Sequence, residues 1–294
     1  MKLIKPSFLI KEQEPELIGI YRQIEYAGRI CYKSSNKITP DSSKEFVDRM
    51  IKSGHGAMLE HGTVYLKITY KNTDFTTLCM FYGKNKYSVL NHSEDNKIYY
   101  ITTNYRVLVE NNHLSDLKYL CEPTEFHEKR ATVHFVCDRG VSHEFVRHRV
   151  MSFAQESTRY CNYSKKDKFG NELTFIKPCW LDIPTGQYVY WDGDWCDINK
   201  MKIQLPEGEH KDIDAFLWTL NNVETHYTLL INSGWKPQEA RAILPNSLKT
   251  ELVMTGFVSD WKHFFELRCD SAAHPQAREL AIPLREEFIK RNYI

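Results

Sequence analysis

The chain has 294 residues, enough for one large domain or two ordinary ones, and its 42% hydrophobic and 13% aromatic content supplies ample core material. A formal net charge of +1 excludes a global field that would gather nucleic acid, so any basic site must be local. No run of about 18 apolar residues occurs, which argues against a helical membrane span, and Lys5, Pro6 and Lys11 break up the apolar residues of the N-terminus, which argues against a secretory signal.

Residues 14–28 carry Leu17, Ile18, Ile20, Tyr21, Ile24 and Ala27 at helical spacing, with Gly28 as the expected stop. A second helix opens at Thr39-Pro40-Asp41-Ser42, sets Phe46, Val47, Met50 and Ile51 on one side, and ends at Ser53-Gly54. His55, Glu60 and His61 follow. They have no third metal ligand at a recognised spacing, so a hydrogen-bonding role is favoured over a metal site. Residues 63–70 alternate Val64, Leu66, Ile68 and Tyr70 with polar positions, as a half-buried strand does.

Residues 71–130 are rich in Asn, Lys and Tyr, with a strand-like piece at 97–103 and a helical one at 114–120. They read as a surface excursion inserted between two core strands. The next strand is 131–137, and 138–148 has helical spacing. Residues 161–170 read as a polar loop, 173–176 as a short strand, and 180–208 as a connection without periodicity. A long helix is expected over 212–231, a short one from Lys236-Pro237, a strand over 250–257, and a helix over 261–267. The last helix, 275–290, contains Pro283 and is expected to kink there. Eight scattered cysteines with no C-x-x-C pair read as reduced, mostly buried thiols in a cytoplasmic setting.

Residues 147–160 concentrate the chemistry: three arginines, a histidine, two serines, a threonine and a glutamine within fourteen positions. A guanidinium is a planar, permanently charged fork that matches phosphate oxygens two at a time. Three of them in so short a span repel one another unless an anion lies between. A strand leading into a helix and then a polar loop is a place to hold one. A solvated basic face is the usual meaning of such a run, but this spacing is more particular. Arg147-His148-Arg149, two residues, Ser152, four residues, Ser157, one residue, Arg159 resembles the signature of the flavin-dependent thymidylate synthases, and all six fixed positions match. Downstream, Ala240-Arg241-x-x-Leu244-Pro245 and Leu267-Arg268-x-Asp270 resemble the second half of the same family.

The resemblance covers roughly residues 13–70 and 131–290. It implies an α/β (α+β) fold with a mainly antiparallel central sheet flanked by helices, in one domain over 1–294 with an insertion at about 71–130. It implies a homotetramer whose sites are built from several chains. The implied reaction converts dUMP to dTMP, with 5,10-methylenetetrahydrofolate as carbon donor and FAD, reduced by NADPH, as hydride carrier. Arg268 matches the family's catalytic arginine, which faces the pyrimidine and favours ionisation at N3. Glu144, Arg147, Gln155, Glu156, Ser157, Thr158, Arg159, Arg241 and Arg268 match positions that contact dUMP. Glu60, Arg147, His148, Arg149, Gln155 and His263 match positions on the flavin side, and His61 lies near them. Ala57, Ala154, Phe257 and Ser259 depart from the family pattern, as Glu144 and Glu156 do, which puts individual contacts in question. A nucleoside monophosphate brings about −2 of charge and the FAD pyrophosphate brings more. Arg147, Arg149, Arg159, Arg241 and Arg268 match that load, with Ser157 and the N–H groups of residues 156–159 as neutral donors.

Other chemistries fit less well. His143-Glu144-Phe145-Val146-Arg147-His148 is one residue too long for H-E-x-x-H. On a helix, i and i+5 lie about 140° apart, so the two imidazoles would diverge from any shared zinc. No G-x-S-x-G elbow surrounds Ser157, so a phosphate-donor role suits it better than a nucleophile's. A nucleic-acid module built on the arginines and the tyrosines of residues 82–105 would be expected to be basic overall, and this chain is balanced.

Overall fold

The computed structural model describes residues 1–71, 75–95, 97–165, 172–205 and 211–294. In chain order its strands are β1 (Lys2–Ile4), β2 (Ser7–Ile10), β3 (Thr63–Thr69), β4 (Val89–Ser93), β5 (Ile98–Asn104), β6 (Arg130–Asp138), β7 (Ser152–Gln155), β8 (Thr174–Ile176), β9 (Gly186–Gln187), β10 (Val189–Trp191), β11 (Asp194–Cys196) and β12 (Lys249–Phe257). Its helices are α1 (Glu16–Cys31), α2 (Ser42–Lys52), α3 (Gly56–Leu59), α4 (Phe75–Leu78), α5 (Tyr105–Glu110), α6 (Arg139–Phe145), α7 (Lys211–Asn232), α8 (Pro237–Ala240), α9 (Val258–Arg268) and α10 (Pro275–Lys290). Parts of the expected 161–170 loop and 180–208 connection, at 166–170 and 206–208, lie outside the described residues.

The central sheet is antiparallel throughout, in the order β2-β6-β12-β7. Alternation along β6 and β12 divides it into two faces. Val133, Phe135 and Cys137 stand opposite Met254, Leu252 and Thr250 on one face, where Trp261 and Phe264 of α9 and Leu280 and Phe288 of α10 cover them. The other face carries His134, Val253, Glu251 and Lys249, and α1 lies over it with Ala27 and Ile30 against Val253 and Ala154. This is the mixed architecture that the sequence implied, an antiparallel sheet flanked by helices.

Several expectations needed correction. Gly28 does not stop α1, which runs on to Cys31. A Cβ at Gly28 would sit 2.4 Å from the Phe46 ring of α2, so the glycine permits close helix packing. Ser152–Gln155, taken with the signature's polar loop, is strand β7 on the edge of the central sheet. The described part of residues 71–130 is more than a surface excursion. β5 pairs with β3 over seven residues and contributes Tyr99 and Ile101, with Tyr105 and Leu108 of α5, to a buried cluster with Ile20, Phe46 and Leu66. β3 belongs to that sheet and not to the one containing β6. The connection after 180 holds a hairpin of β10 and β11. β1 and β2, unread in a segment broken by Pro6 and lysines, pair with β8 and β6. α10 continues through Pro283, which faces solvent.

Candidate active site

β6 delivers the signature to one end of the central sheet. Asp138 caps α6 by accepting the Val141 N–H at 2.8 Å, and the Arg139 N–H is held by the carbonyls of Asn246 and Leu248 at 2.9 and 3.1 Å. α6 lasts only two turns. Residues 147–151 then reverse the chain into β7, alongside β12.

One cluster forms around Arg268, the last residue of α9. Its Nη1 donates to Glu144 Oε2 at 2.9 Å, its Nη2 to the Glu144 carbonyl at 2.8 Å, and its Nε to His148 Nε2 at 3.1 Å. A guanidinium only donates, so His148 Nε2 is the lone-pair nitrogen and the ring proton sits on Nδ1. Burial pushes His148 down to about 4, with the charges of Arg268 and His263 adding to the effect. His148 is therefore neutral at pH 7, packed on Phe264 with ring centroids 5.0 Å apart and with His263 6.1 Å away. His263 itself is exposed, with Nδ1 3.3 Å from Glu266. Three of the five N–H groups of Arg268 are engaged, leaving two for a ligand.

A second cluster forms where the loop after β7 meets α8. Arg241 Nη1 donates to Thr158 Oγ1 at 3.4 Å, Arg159 Nε to Gln238 Oε1 at 3.3 Å, and the Arg159 N–H to Ser157 Oγ at 3.3 Å. Gln155 lies between the clusters, its amide donating to Ser142 Oγ on α6 at 2.8 Å and to Thr250 Oγ1 at 3.3 Å. Arg147 is exposed and donates Nε to the His143 carbonyl at 3.2 Å. Arg149 is exposed and makes no hydrogen bond or ion pair among the described residues. Arg147, Arg149, Arg159 and Arg241 thus present four exposed guanidinium groups that meet no carboxylate among the described residues. That donor set suits an anionic nucleotide.

Not every matched position faces the same way. The Glu156 side chain is buried, accepting from Lys249 Nζ at 2.7 Å and from the Tyr163 hydroxyl at 2.9 Å. The N–H groups of Glu156 and Ser157 turn inward to the carbonyls of Glu251 and Cys31 at 2.8 and 3.1 Å, so they are not donors to an outside anion. Glu60, just past α3, accepts from Arg106 Nη1 at 2.6 Å, and its carbonyl accepts from Arg130 Nη2 at 3.1 Å. His61 is fully buried, with Nδ1 2.9 Å from Thr255 Oγ1. Burial, and then the Arg130 charge, push His61 down to about 3. Thr255 pairs with Ser152, which sets the 60–61 segment beside β7. Of the departures, Ala57 is exposed, Phe257 is buried with the Arg130 guanidinium 5.6 Å from its ring centre, and the Ser259 N–H donates to Glu128 at 3.1 Å.

The sequence reading missed Lys33, Tyr163, Lys249 and Glu251, which surround Glu156, and Arg106, which holds Glu60. Lys249-Thr250-Glu251 did carry a signal, because two charges at i and i+2 share one face of an otherwise buried strand. No group of three His, Cys, Asp or Glu side chains is placed to hold a metal among the described residues. No helix among them is long and apolar enough to cross a membrane.

Fold and site together define an α/β protein with an exposed arginine cluster at one end of an antiparallel sheet. The profile of the family described as thymidylate synthase complementing protein matches residues 71–291, and the chain belongs to that family. The flavin-dependent thymidylate synthase of Pyrococcus furiosus is 30% identical over 161 residues, covering 54% of this chain and 53% of that one. Its namesake from Corynebacterium aurimucosum is 23% identical over 262 residues, covering 88% and 72%. The chain thus spans about half the length of the Pyrococcus relative and more of the corynebacterial one. A UMP/dUMP methylase, PolB of Streptomyces cacaoi, solved with 5-Br dUMP, superposes with a TM-score of 0.44 and 15% identity, over 99% of this chain and 93% of that one.

Proposed function

We propose that this protein is a flavin-dependent thymidylate synthase that methylates dUMP to dTMP. One observation carries the reading: Arg147, Arg149, Arg159 and Arg241 stand exposed and meet no carboxylate among the described residues, while Arg268 is tied to His148 of the same signature and to Glu144 just before it. FAD reduced by NADPH would supply the hydride, and 5,10-methylenetetrahydrofolate the carbon. In this reading the protein's own groups bind, orient and polarise.

Arg159, Arg241, Ser157 and Thr158 would hold the nucleotide phosphate, with Arg147 and Gln155 beside it. Arg268 would meet the uracil ring with its two remaining N–H groups, and a permanently charged donor there favours the anionic form of the base. Glu144 and His148 hold the guanidinium in place. Because His148 is neutral, it adds no positive charge beside Arg268. Glu60, Arg147, His148, Arg149, Gln155 and His263 would line the flavin side. The assembly would be a cytoplasmic homotetramer with sites shared between chains.

The test is direct. Purified protein should show a flavin absorbance spectrum and release tritium from C5-labelled dUMP only with NADPH and the folate. Arg268→Ala should lower turnover by roughly a hundredfold or more while leaving flavin bound. Loss of flavin from that variant would remove Arg268 from its assigned role, and a colourless, inactive wild-type protein supplied with FAD would end the reading.

A further inference from the structure

We propose that Lys33, Lys249, Glu156 and Glu251 form a buried charge clamp that positions the 156–161 loop for the nucleotide phosphate, with Glu156 a positioning residue and not a ligand. The proposal rests on the dUMP reading above. Glu156 sits inside the signature, yet its carboxylate points away from the arginines. Its side chain is 0% exposed, against 11% for Glu251, 13% for Lys249 and 29% for Lys33. Lys249 Nζ lies 2.7 Å from Glu156 and 2.5 Å from Glu251, while Lys33 Nζ bonds Glu251 and stands 3.8 Å from Glu156. Two cations and two anions cancel. Beyond them Glu251 Oε2 lies 3.2 Å from His134 Nε2, and His134 Nδ1 lies 2.6 Å from the Tyr26 hydroxyl.

Two observations argue that these charges serve position and not only cohesion. A buried ion pair seldom stabilises a fold more than apolar residues of the same volume, and its best-attested use is to fix register. The same face offers the apolar alternative within reach, in Ala27, Ile30, Ala154 and Val253. The second observation is the backbone of Lys33. It follows α1 with φ +47°, left-handed, where glycine is usual and a side chain is disfavoured. Its N–H closes on the Ile30 carbonyl at 3.2 Å, and the Ser34 N–H on that of Arg29 at 3.0 Å. The chain keeps a lysine in a glycine's place, and that lysine's amine reaches the clamp.

The loop is held from three sides, one of them the clamp. The Ser157 N–H bonds the Cys31 carbonyl, the Tyr160 ring rests on Tyr32 with centroids 5.5 Å apart, and Glu156 is pulled inward by Lys249. With residue 156 drawn in, the buried Thr158 hydroxyl meets Arg241, and the exposed Arg159 meets Gln238.

Lys33→Gly is the informative change, because it relieves the backbone while deleting the amine. Its melting temperature should hold or rise. Amide hydrogen exchange across residues 157–161 should quicken, and the calorimetric dissociation constant for dUMP should rise roughly tenfold, as misplacement of binding groups predicts. Lys33→Arg should restore both, and Glu156→Gln should move both in the same direction as Lys33→Gly. Unchanged exchange in Lys33→Gly and Glu156→Gln overturns the clamp. Faster exchange with unchanged dUMP affinity overturns its role in positioning. If the wild type ignores dUMP while exchange still responds, the substrate reading fails and the clamp on the loop is supported.

Discussion

On one face of the central sheet, Phe135, Leu252 and Met254 meet Trp261, Phe264, Leu280 and Phe288. On the other, α1 brings Ala27 and Ile30, with Tyr26 and Cys31 partly buried at the margin, onto Ala154 and Val253, and beside that smaller patch stand Lys249, Glu251 and His134. The first face is large and non-directional, so it supplies cohesion roughly in proportion to the area it buries. The second face is directional, because each charge is held at one distance from one partner. Cohesion sits on the side of α9 and α10, and precision sits under the signature loop. Both faces share β12, which links the interior to the site.

The comparison is sharpest in unfolding experiments. Trp261 is fully buried and donates its Nε1–H to the Ala131 carbonyl at 3.1 Å, so Trp261→Ala should cost about 5 kcal/mol. Lys249→Met leaves two carboxylates sharing Lys33 and should cost about 3 kcal/mol. Adding Glu156→Leu to Lys249→Met should recover a good part of that loss, because the buried anion goes too. Urea unfolding at pH 7 measures all three. A double variant no more stable than Lys249→Met would mean the charged face is itself a source of cohesion, and the contrast would fail.

How far the sequence alone reached follows the same divide. Alternation along β6 and β12 and the helical spacing of α1, α2 and α7 were visible, because apolar faces repeat with the period of their element. β7 was hidden, since four residues of mixed polarity inside an arginine-rich run give no usable period. β5 was visible as a strand at 97–103, but its burial was hidden by composition: Tyr99, Tyr100, Thr102, Thr103 and Asn104 are buried there, though such residues usually mark a surface. In the site, the signature named the arginines. Spacing could not show that Arg268 meets Glu144 and His148 across more than a hundred residues, or that Arg241 meets Thr158. It also could not show which way Glu156 points, because that depends on Lys249, a partner on β12.

Acid tests the buried polar groups of both faces in a second way. In the unfolded chain a histidine titrates near pH 6.5, whereas burial holds His61 down to about 3 and His148 to about 4. Between those values and 6.5 the unfolded state takes up protons that the folded state refuses. Stability must therefore fall as pH falls, by up to about 1.4 kcal/mol per pH unit for each histidine. Burial alone would raise Glu251, but His134, Lys249 and Lys33 outweigh it and hold its carboxyl below the usual range. Its contribution is complete above the ordinary carboxylate value and is lost as pH falls through that region. Melting temperatures should start to drop just below pH 6.5 and steepen below about 4.5. A flat profile from pH 7 to 4.5 would mean that both histidines are charged in the fold.

The smallest expected effect concerns the side of α1 that turns away from the sheet. By helix propensity, Gly28→Ala should stabilise α1 by about 1 kcal/mol. In the structure the new Cβ would lie 2.4 and 2.7 Å from two ring carbons of Phe46. That ring has nowhere to go: it is 2% exposed and carries the Arg29 and Arg49 guanidinium groups 4.9 and 5.1 Å from its centre. Overpacking of this kind typically costs about 1–3 kcal/mol, so the net change should be a loss of about 1 kcal/mol, read as a fall of a few degrees in melting temperature. Phe46→Leu in the same chain should return part of it by opening space. A Gly28→Ala variant more stable than wild type would show that α2 slides off α1 at little cost. Tight helix packing would then end at the sheet and not extend to this outer layer.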